Sequence, residues 1–323
     1  MDPGGGKHPK MSKHSEKFIG FWTRGVRSGR MYMEIVSFVI LHYKDRKTTD
    51  DCVQSILQME DQERIRIVIV DNDIEQSREE RQKLSACYES NPRITVLQVH
   101  ENGGFSHANN QGYRYSREKL KASCIVVLNN DIQFVQPDFP GLLEESCRKH
   151  PCHVLGPDII RRGTGEHQNP MDTRVRTREE AEYTVRMNRL ALKLYPVIYP
   201  VLYWKLKREE KRKLRQKEEN KSFYENVQEN IVPFGACLIF TPDFVKREEL
   251  AFTPETHFFY EEYILTCRCG KKGYRTVYDP ALKVYHESGA ATKKTFGSER
   301  KRLRFMVERT AAAAEIYLGM EGR

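Results

Sequence analysis

The chain has 323 residues, of which 39% are hydrophobic and 31% are charged, and its formal net charge at pH 7 is +9. This composition excludes a wholly disordered protein, and the length fits one large domain or two small ones with a sizeable core. The positive charge favours an anionic partner such as nucleic acid, a membrane surface or a phosphorylated small molecule. Eight cysteines without a CxxC pair, and no visible signal peptide, predict reduced thiols in a cytosolic protein.

The N-terminal residues 1–30 are predicted to be a flexible basic segment. The stretch MDPGGGKHPKMSKHSEK is rich in Gly, Lys and His and has no apolar period. One folded domain is expected over residues 31–323, because Met31 and Met33 come directly before the first predicted strand.

Strands and helices alternate from residue 34 onwards. The predicted strands are 34–43, 64–73, 94–99 and 124–128, and the predicted helices are 48–60, about 75–90 and about 106–120. The strands are nearly continuous apolar runs, which is typical of a parallel sheet covered on both faces. We therefore predict an α/β fold with a Rossmann-like, mostly parallel sheet flanked by helices.

Polar residues follow three of these strands. Right-handed crossovers place the carboxyl ends of parallel strands on one edge, where ligands of such sheets bind. An Asp or Asn after a strand can also be a helix cap or a turn former. Clustered carboxylates repel one another unless a cation lies between them, so three tips at one edge favour a divalent cation site. The tips are His42-Tyr43, Asp71-Asn72-Asp73 and Asn129-Asn130-Asp131.

The segment ENGGFSHANNQGY (101–113) predicts a second binding element. Gly103 and Gly104 permit a close approach of the backbone to a ligand, and the helix that follows begins with free amide groups. Asn109 and Asn110 are middling helix formers, so their place on the first turns indicates hydrogen bonding. The alternative is an ordinary glycine turn. No GxGxxG follows the first strand and no GxxxxGK[ST] occurs, so the dinucleotide fingerprint and the P-loop do not apply.

Adjacent carboxylates, Glu261 and Glu262, follow the aromatic run HFFY at the predicted start of a helix. Group transfer to a hydroxyl in one displacement requires a carboxylate base, whereas acids at a helix start are also favoured by the helix dipole. Arg268, in the following turns, is expected to help keep such a base ionised. His286 ends a further predicted strand, where a lone histidine is often only structural.

The chain resembles the family 2 glycosyltransferases of GT-A fold, particularly their bacterial rhamnosyltransferase-like branch. The resemblance is carried by SFVILHYKD, IVIVDND, NGGFSHANNQG, VVLNND, PFGACLIFTPDFV and FFYEEYILTCRCGKKGYRTVYDPALKVYHESGAAT. It implies an inverting transfer of a sugar from a nucleotide diphosphate donor. Residues 34–145 are then the nucleotide-sugar-binding half, and residues 230–292 the acceptor and catalytic half.

The resemblance implies a set of donor contacts. Asp71 is expected to hydrogen-bond the pyrimidine, and the loop from Asn102 to Asn109 is expected to lie beside the nucleotide. The other residues expected to contact the nucleotide-sugar are His42, Tyr43, Asn72, Gly103, Gly104, Asn129, Asn130 and Gly235.

The resemblance also implies a metal site and a base. Asp131 matches the last acid of the family's DXD-like motif and is expected to hold Mn²⁺ or Mg²⁺ with His286. Asn129 replaces the first acid of that motif. Glu262 occupies the position of the usual base, and Glu261 is expected to position the acceptor or to cap the helix.

Residues 172–228 are predicted to form a basic helical insertion between the two halves. Its stretch LALKLYPVIYPVLYW (190–204) is apolar and aromatic but too short, and too interrupted by proline, to cross a bilayer. Eight basic residues follow in KLKREEKRKLRQK (205–217). Residues 190–217 thus favour contact with an anionic membrane surface or a lipid-diphosphate acceptor. A solvated helix and a dimer arm are the alternatives, and residues 293–323 are predicted to be a C-terminal helix.

Together these features predict a metal-dependent glycosyltransferase, cytoplasmic and peripheral at the inner face of the cell membrane. The expected donor is dTDP-rhamnose, a UDP-hexose or a UDP-N-acetylhexosamine, and the expected acceptor is a glycan or a polyprenyl-diphosphate-linked hydroxyl. The alternatives are a nucleotidyltransferase acting on sugar phosphates and a non-catalytic basic protein. LHYKDRK is not the Gly- and Arg-rich phosphate loop of a nucleotidyltransferase. No nucleic acid is expected, because the basic residues concentrate away from the acidic tips, and an oligomer stays open.

Overall fold

The structure is a computed structural model that describes residues 33–101, 103–219, 221–287 and 298–321. The strands and helices predicted in its first part are present. They are β1 Val36–His42, α1 Arg46–Leu57, β2 Ile65–Asp71, α2 Arg78–Tyr88, β3 Ile94–Gln98, α3 Gly104–Glu118 and β4 Cys124–Asn129.

The second part contains shorter strands and longer helices. They are β5 Ile132–Phe134, α4 Phe139–Lys149, β6 Val154–Arg161, α5 Arg178–Lys193, α6 Tyr195–Glu219, α7 Lys221–Tyr224, β7 Gln228–Glu229, β8 Cys237–Phe240, α8 Pro242–Arg247, α9 Glu261–Lys271, β9 Thr276–His286 and α10 Glu299–Glu321.

The described residues form one nine-stranded sheet in the order β3-β2-β1-β4-β8-β6-β9-β5, with β7 paired to β9. β1 is parallel to β2 and β4, β2 is parallel to β3, and β6 is parallel to β9. β8 runs antiparallel to β4 and β6, and β5 runs antiparallel to β9. The prediction of a mostly parallel sheet flanked by helices is confirmed.

Alternate residues of the central strands enter two different hydrophobic cores. Phe38 and Val126 belong to one core, whereas Val39 and Val127 belong to the other. Because successive side chains of a strand point to opposite faces, the sheet is buried on both sides. This burial explains why the strands read as continuous apolar runs.

Helices α5 and α6 pack on the C-terminal helix α10. Ala181 of α5 shares a buried cluster with Ala314 and Tyr317 of α10, and Tyr195 of α6 shares another with Leu303 and Val307 of α10. No helix in the described ranges is long and apolar enough to cross a membrane. All eight cysteines lie within these ranges, and none forms a disulfide.

The predicted flexible segment over residues 1–30 lies outside the described residues. Met33, the first described residue, is buried, and its backbone N–H donates to Glu144 at 2.8 Å. The C-terminal helix predicted over 293–323 is described from Glu299 to Glu321. The proposed domain boundaries stay predictions.

Candidate active site

The polar tips meet at one edge of the sheet. His42 lies beside Asp71 in the pairing of β1 with β2, and Leu41 of β1 lies beside Asn129 of β4. A hydroxyl links the first and third tips, because Thr49 Oγ1 lies 2.7 Å from His42 Nδ1 and accepts from Asn130 Nδ2 at 3.0 Å. Burial lowers the pKa of His42, so this imidazole is neutral at pH 7 although acids surround it.

Asp71 is turned into the protein. Its side chain has no exposed surface, and one oxygen accepts from Arg81 Nε at 2.8 Å. The other oxygen accepts from the Asp73 backbone N–H at 3.2 Å. The expected contact between Asp71 and a pyrimidine stays a prediction.

Asp73 and Asn72 offer acceptors that no described donor reaches. Both carboxylate oxygens of Asp73 and the Oδ1 atom of Asn72 are buried without a hydrogen-bond partner. A buried acceptor without a donor is costly, and such groups in folded proteins often mark a ligand position. Asp73 was not among the predicted contacts, although its place in the tip Asp71-Asn72-Asp73 was the available signal. Tyr43, beside this tip, is half-buried, with Lys44 Nζ 5.0 Å from its ring centroid.

The glycine loop is held against the segment before α9. Gly104 has φ +80°, and a Cβ there would lie 2.3 Å from the carbonyl oxygen of His257. The next residue, Phe105, donates to that same oxygen at 2.7 Å. A Cβ at Gly103 would lie 2.4 Å from the His107 side chain. The two glycines therefore serve close contacts within the protein, whatever else they contact.

The two asparagines of α3 differ. Asn110 donates to and accepts from the backbone of Phe252, both at 2.9 Å, so it ties α3 to that segment. Asn109 donates to the Phe105 carbonyl at 3.0 Å, and its Oδ1 atom is buried without a donor. Asn102, also predicted to contact the nucleotide, lies outside the described residues.

The predicted metal residues are brought together. His286 Nε2 lies 3.1 Å from Asp131 Oδ1, and both side chains are largely buried. The pairing of β5 with β9 sets this contact, because Ile132 lies opposite His286. Asn129, at the end of β4, is half-buried.

A side chain that sequence reasoning missed fixes the histidine. Both ends of the Gln168 amide are satisfied when its nitrogen donates to His286 Nδ1 at 2.7 Å and its oxygen accepts from Arg161 at 3.1 and 3.2 Å. This orientation is assigned from the hydrogen-bond network, as is usual for an amide. It places the imidazole proton on Nε2, which then donates to Asp131.

Asp131 and His286 fit a cation that receives most of its ligands from elsewhere. Mg²⁺ is commonly bound through one or two carboxylates together with substrate phosphates and water. Among the described residues, no group of three or more His, Cys, Asp or Glu side chains could hold an ion. Ligation by His286 Nε2 would also require its proton to move to Nδ1, and the Gln168 amide would then have to turn its oxygen toward Nδ1 and its nitrogen toward Arg161.

Two strained aromatic residues place the acidic pair at the start of α9. Phe259 and Tyr260 have φ of 68° and 62°, in the left-handed region that bulky side chains avoid. The Phe259 ring lies 6.4 Å from Phe305 and the Tyr260 ring 6.0 Å from Tyr317. Strain of this kind costs about 1–3 kcal/mol for each residue and clusters at functional sites.

Glu262 is held by a backbone amide. Its Oε1 atom accepts from the Gly235 N–H at 3.1 Å, and a Cβ at Gly235 would lie 2.6 Å from that oxygen. Asn169, also missed from the sequence, fixes this loop because its Oδ1 accepts from the Phe234 N–H at 2.9 Å. Asn169 Nδ2 donates to the Pro157 carbonyl at 2.6 Å. The only available signal was the polar run HQNP (167–170).

The acidic pair is buried. Burial, and then the charge of Glu262, raise the pKa of Glu261 well above its ordinary value, and burial raises the pKa of Glu262. Glu261 Oε2 is buried without a hydrogen-bond partner. The expected help from Arg268 is not found, because its guanidinium donates to the carbonyls of Leu250 and Ala251 at 3.1 and 2.6 Å. Two buried carboxylates whose charges act on each other do not both ionise readily.

One loop contacts the main parts of the site. The Phe234 ring lies 6.1 Å from the His286 ring, and Gly235 bonds Glu262. The carbonyl of the next residue, Ala236, accepts from the Asn129 N–H at 3.0 Å. A histidine beside a carboxylate, a strand-end amide and a buried acid pair therefore lie around the segment 234–236. The acid pair can accept a proton on one side of this segment, and the polar strand ends can bind a charged group on the other.

Comparison with known proteins identifies the class of this site. The family model described as "Glycosyl transferase family 2" matches residues 37–232, which is more than half of the chain. The chain therefore belongs to glycosyl transferase family 2. The matched range contains the polar tips but ends before Glu262 and His286.

Solved structures resemble the fold. GalNAc-T7 with UDP, GalNAc and Mn²⁺ has a TM-score of 0.50 and 13% identity, over 81% of this chain and 47% of that one. S. aureus TarS 1-349 has a TM-score of 0.47 and 12% identity, over 87% of this chain and 65% of that one. The chain spans less than two thirds of either relative. The fold is the GT-A fold of glycosyltransferases, and no curated protein matches this sequence.

Gln168→Glu is expected to raise the affinity for Mn²⁺ in the presence of UDP by ~10-fold or more, the lower end of the usual effects of groups behind a metal ligand. The new carboxylate accepts from both Arg161 and His286 Nδ1–H, which leaves the Nε2 lone pair for the metal. Titration of Mn²⁺ followed by electron paramagnetic resonance measures this. The exposed Gln54→Glu on α1 adds the same charge as a control, and equal affinities of the two variants would contradict the assigned orientation.

Glu261→Gln is expected to stabilise the protein at pH 8 and to have little effect at pH 4. The raised pKa means that folding favours the protonated acid, so the ionised form destabilises the fold above that pKa and the difference vanishes once the acid is protonated in both states. We expect a rise in Tm at pH 8 of about 1–2 °C for each kcal/mol gained, as the entropy of unfolding of a domain of this size implies. Scanning calorimetry measures it, with the exposed Glu255→Gln as control. A shift of equal size at both pH values would contradict the raised pKa.

Proposed function

We propose that the protein transfers a sugar, with inversion, from a nucleotide diphosphate donor to an acceptor hydroxyl. The observation that carries this proposal is the buried acid pair at the start of α9, joined by the loop 234–236 to Asn129 and to the Asp131–His286 pair. In this proposal Glu262 accepts the proton of the acceptor hydroxyl as that oxygen attacks the anomeric carbon from the side opposite the leaving diphosphate.

One acid of the pair is protonated, and the other, which is ionised, acts as the base. Two carboxylates of neighbouring residues in a buried site do not both ionise readily. In this proposal the proton stays on Glu261, and Glu262 is the ionised member of the pair. The Gly235 N–H supports this assignment, because a hydrogen bond to a carboxylate favours its charged form. Glu261 then positions the acceptor as a hydrogen-bond donor.

The donor binds at the edge formed by β1, β2 and β4. Asp131 and His286 would hold Mn²⁺ or Mg²⁺, which would neutralise negative charge on the leaving diphosphate. Asp73 and Asn72 would accept hydrogen bonds from the nucleoside, because their unpartnered oxygens need donors and the hydroxyl and N–H groups of a nucleoside supply them. The remaining predicted donor contacts at this edge are His42, Tyr43, Asp71, Asn109, Asn129 and Asn130.

The proposed specificity follows the resemblance of the sequence to rhamnosyltransferases. The preferred candidate for the donor is dTDP-rhamnose, and the next candidates are a UDP-hexose and a UDP-N-acetylhexosamine. The acceptor is a hydroxyl of a cell-surface glycan or of a polyprenyl-diphosphate-linked glycan, met at the cytoplasmic face of the cell membrane.

Glu262→Gln is expected to lower the rate of sugar transfer by ~10²–10⁴-fold, the usual contribution of a general base, because the amide cannot take the proton. Donor binding should change less than about twofold, since this group faces the acceptor in the proposed mechanism. Transfer is measured by release of the nucleoside diphosphate, and donor binding by calorimetry. Glu261→Gln is the matched control and should retain more activity. An inactive Glu261→Gln beside a normal Glu262→Gln would assign the base to Glu261.

Asp73→Asn is expected to weaken binding of UDP or dTDP by ~10-fold or more, since hydrogen bonds to a charged group contribute about 1.5–3 kcal/mol. Without nucleotide the same variant should be at least as stable as the parent, because it removes a buried charge that has no described partner. Calorimetric titration and thermal unfolding measure the two effects. Glu75→Gln, at an exposed carboxylate nearby, is the control. Unchanged nucleotide affinity in Asp73→Asn would remove Asp73 from the donor site.

A further inference from the structure

A row of exposed apolar side chains runs along α5 and α6. The steps between its members alternate between four and three residues, which keeps them on one face of a helix. We call this row the apolar ridge, and its exposed fractions lie between 39% and 80%. Its members are Tyr183, Met187, Leu190, Leu194, Val197, Val201 and Trp204.

The apolar ridge is continuous across the junction of the two helices. The Leu194 N–H donates to the Leu190 carbonyl at 3.1 Å, and the Ile198 N–H donates to the Leu194 carbonyl at 3.1 Å. Both bonds have the spacing of an α-helix, although Leu194 itself is a turn residue between the end of α5 and the start of α6. The ridge therefore follows one helical surface over the last turns of α5 and the first turns of α6.

The opposite face of these helices is already used inside the protein. Ala181, Ala191 and Tyr195 are buried in clusters that include residues of α10. The ridge lies away from those clusters, and no core cluster of the described residues contains any of its members. A contiguous exposed apolar surface of this kind marks an interaction site with a protein or a membrane.

Basic charge predominates along the ridge. No Asp or Glu occurs between Glu182 and Glu209, whereas the exposed basic residues of this interval are Arg186, Arg189, Lys193, Lys205, Lys207 and Arg208. Three of them, on α5, line a surface recess beside the ridge, together with Glu182, Leu190 and Leu318: Arg186, Arg189 and Lys193. Arg189 also pairs with Glu315 at 2.6 Å, on the rim where both groups stay exposed.

This charge distribution decides between the two occupants. Two copies of the chain that packed ridge against ridge would bring basic borders together with no acid in the interval 183–208 to offset them. An anionic bilayer matches both features, because its acyl region receives the apolar side chains and its phosphates attract the Lys and Arg residues. Tyr183 and Trp204, near the two ends of the ridge, are the residue types that favour the membrane interface.

We propose that the apolar ridge with its basic border docks the protein on an anionic bilayer without crossing it. A side chain next to the ridge contacts the segment before the acid pair. Thr184, next to the ridge on α5, lies with its Oγ1 3.3 Å from the Tyr260 hydroxyl, and Tyr260 directly precedes Glu261. Docking therefore brings the start of α9 near the bilayer, where an acceptor carried by a lipid would lie, a conclusion that rests on the proposed function.

The test uses the whole chain of 323 residues and sedimentation with vesicles of phosphatidylcholine containing 30% phosphatidylglycerol. The triple variant Leu194→Gln, Val197→Gln and Val201→Gln removes apolar surface at exposed positions and leaves the charge unchanged. We expect it to bind at least tenfold more weakly than the parent. Val135→Gln, at an exposed valine outside the ridge, is the matched control and should bind like the parent. Pure phosphatidylcholine vesicles should bind the parent weakly.

Hydrolysis of a nucleotide-sugar in buffer separates this proposal from the proposed function. The parent and the triple variant should hydrolyse the donor equally without vesicles. Suppose that the triple variant loses vesicle binding and that the parent neither hydrolyses the donor nor transfers its sugar. This result would support the docking surface and contradict the proposed transferase. Equal vesicle binding by parent and triple variant would overturn the docking surface. The docking surface would also be overturned if sedimentation velocity showed that the parent is a dimer and the triple variant a monomer, since the ridge would then join two copies.

Discussion

The site depends on the hydrogen bond between the Gly235 amide and Glu262. A side chain at position 235 would occupy the space of the carboxylate oxygen, so the contact requires glycine. The neighbours of Gly235 contact His286 and Asn129, and the polar ends of the parallel strands thereby meet the start of α9 around one loop. The antiparallel strand β8, which follows this loop, inserts it beside β4, in the middle of the sheet.

The left-handed residues before α9 and the helices behind them form the second constraint. Phe259 and Tyr260 hold an unfavourable backbone through ring contacts with α10, and α10 in turn packs on α5 and α6. The acid pair is therefore supported by the insertion, which lies within the family match, and by the C-terminal helix, which lies beyond the end of that match at residue 232. A rigid support of this kind is what a positioned base requires, because small displacements of a catalytic group are costly in rate.

The sequence predicts the sheet well and the site only in part. Continuous apolar runs identify the central strands, because burial on both faces leaves that pattern in any single strand. The role of Gln168 depends on His286, 118 residues away, and that of Asn169 on Phe234, 65 residues away. No local pattern predicts such contacts. For Asp71 the sequence shows an acid at the end of a strand but not the direction in which it points. Its inward pairing with Arg81 depends on how α2 returns to the sheet.

The central claim is that a single displacement, assisted by Glu262, transfers the sugar. The most direct test is to follow the reaction by ¹H NMR with dTDP-rhamnose, UDP-glucose and UDP-N-acetylglucosamine and to read the anomeric configuration of the first product, before mutarotation. The account predicts a configuration opposite to that of the donor. A first product with the donor's own configuration would require two displacements or a front-face attack, and would contradict the assignment of Glu262 as the base.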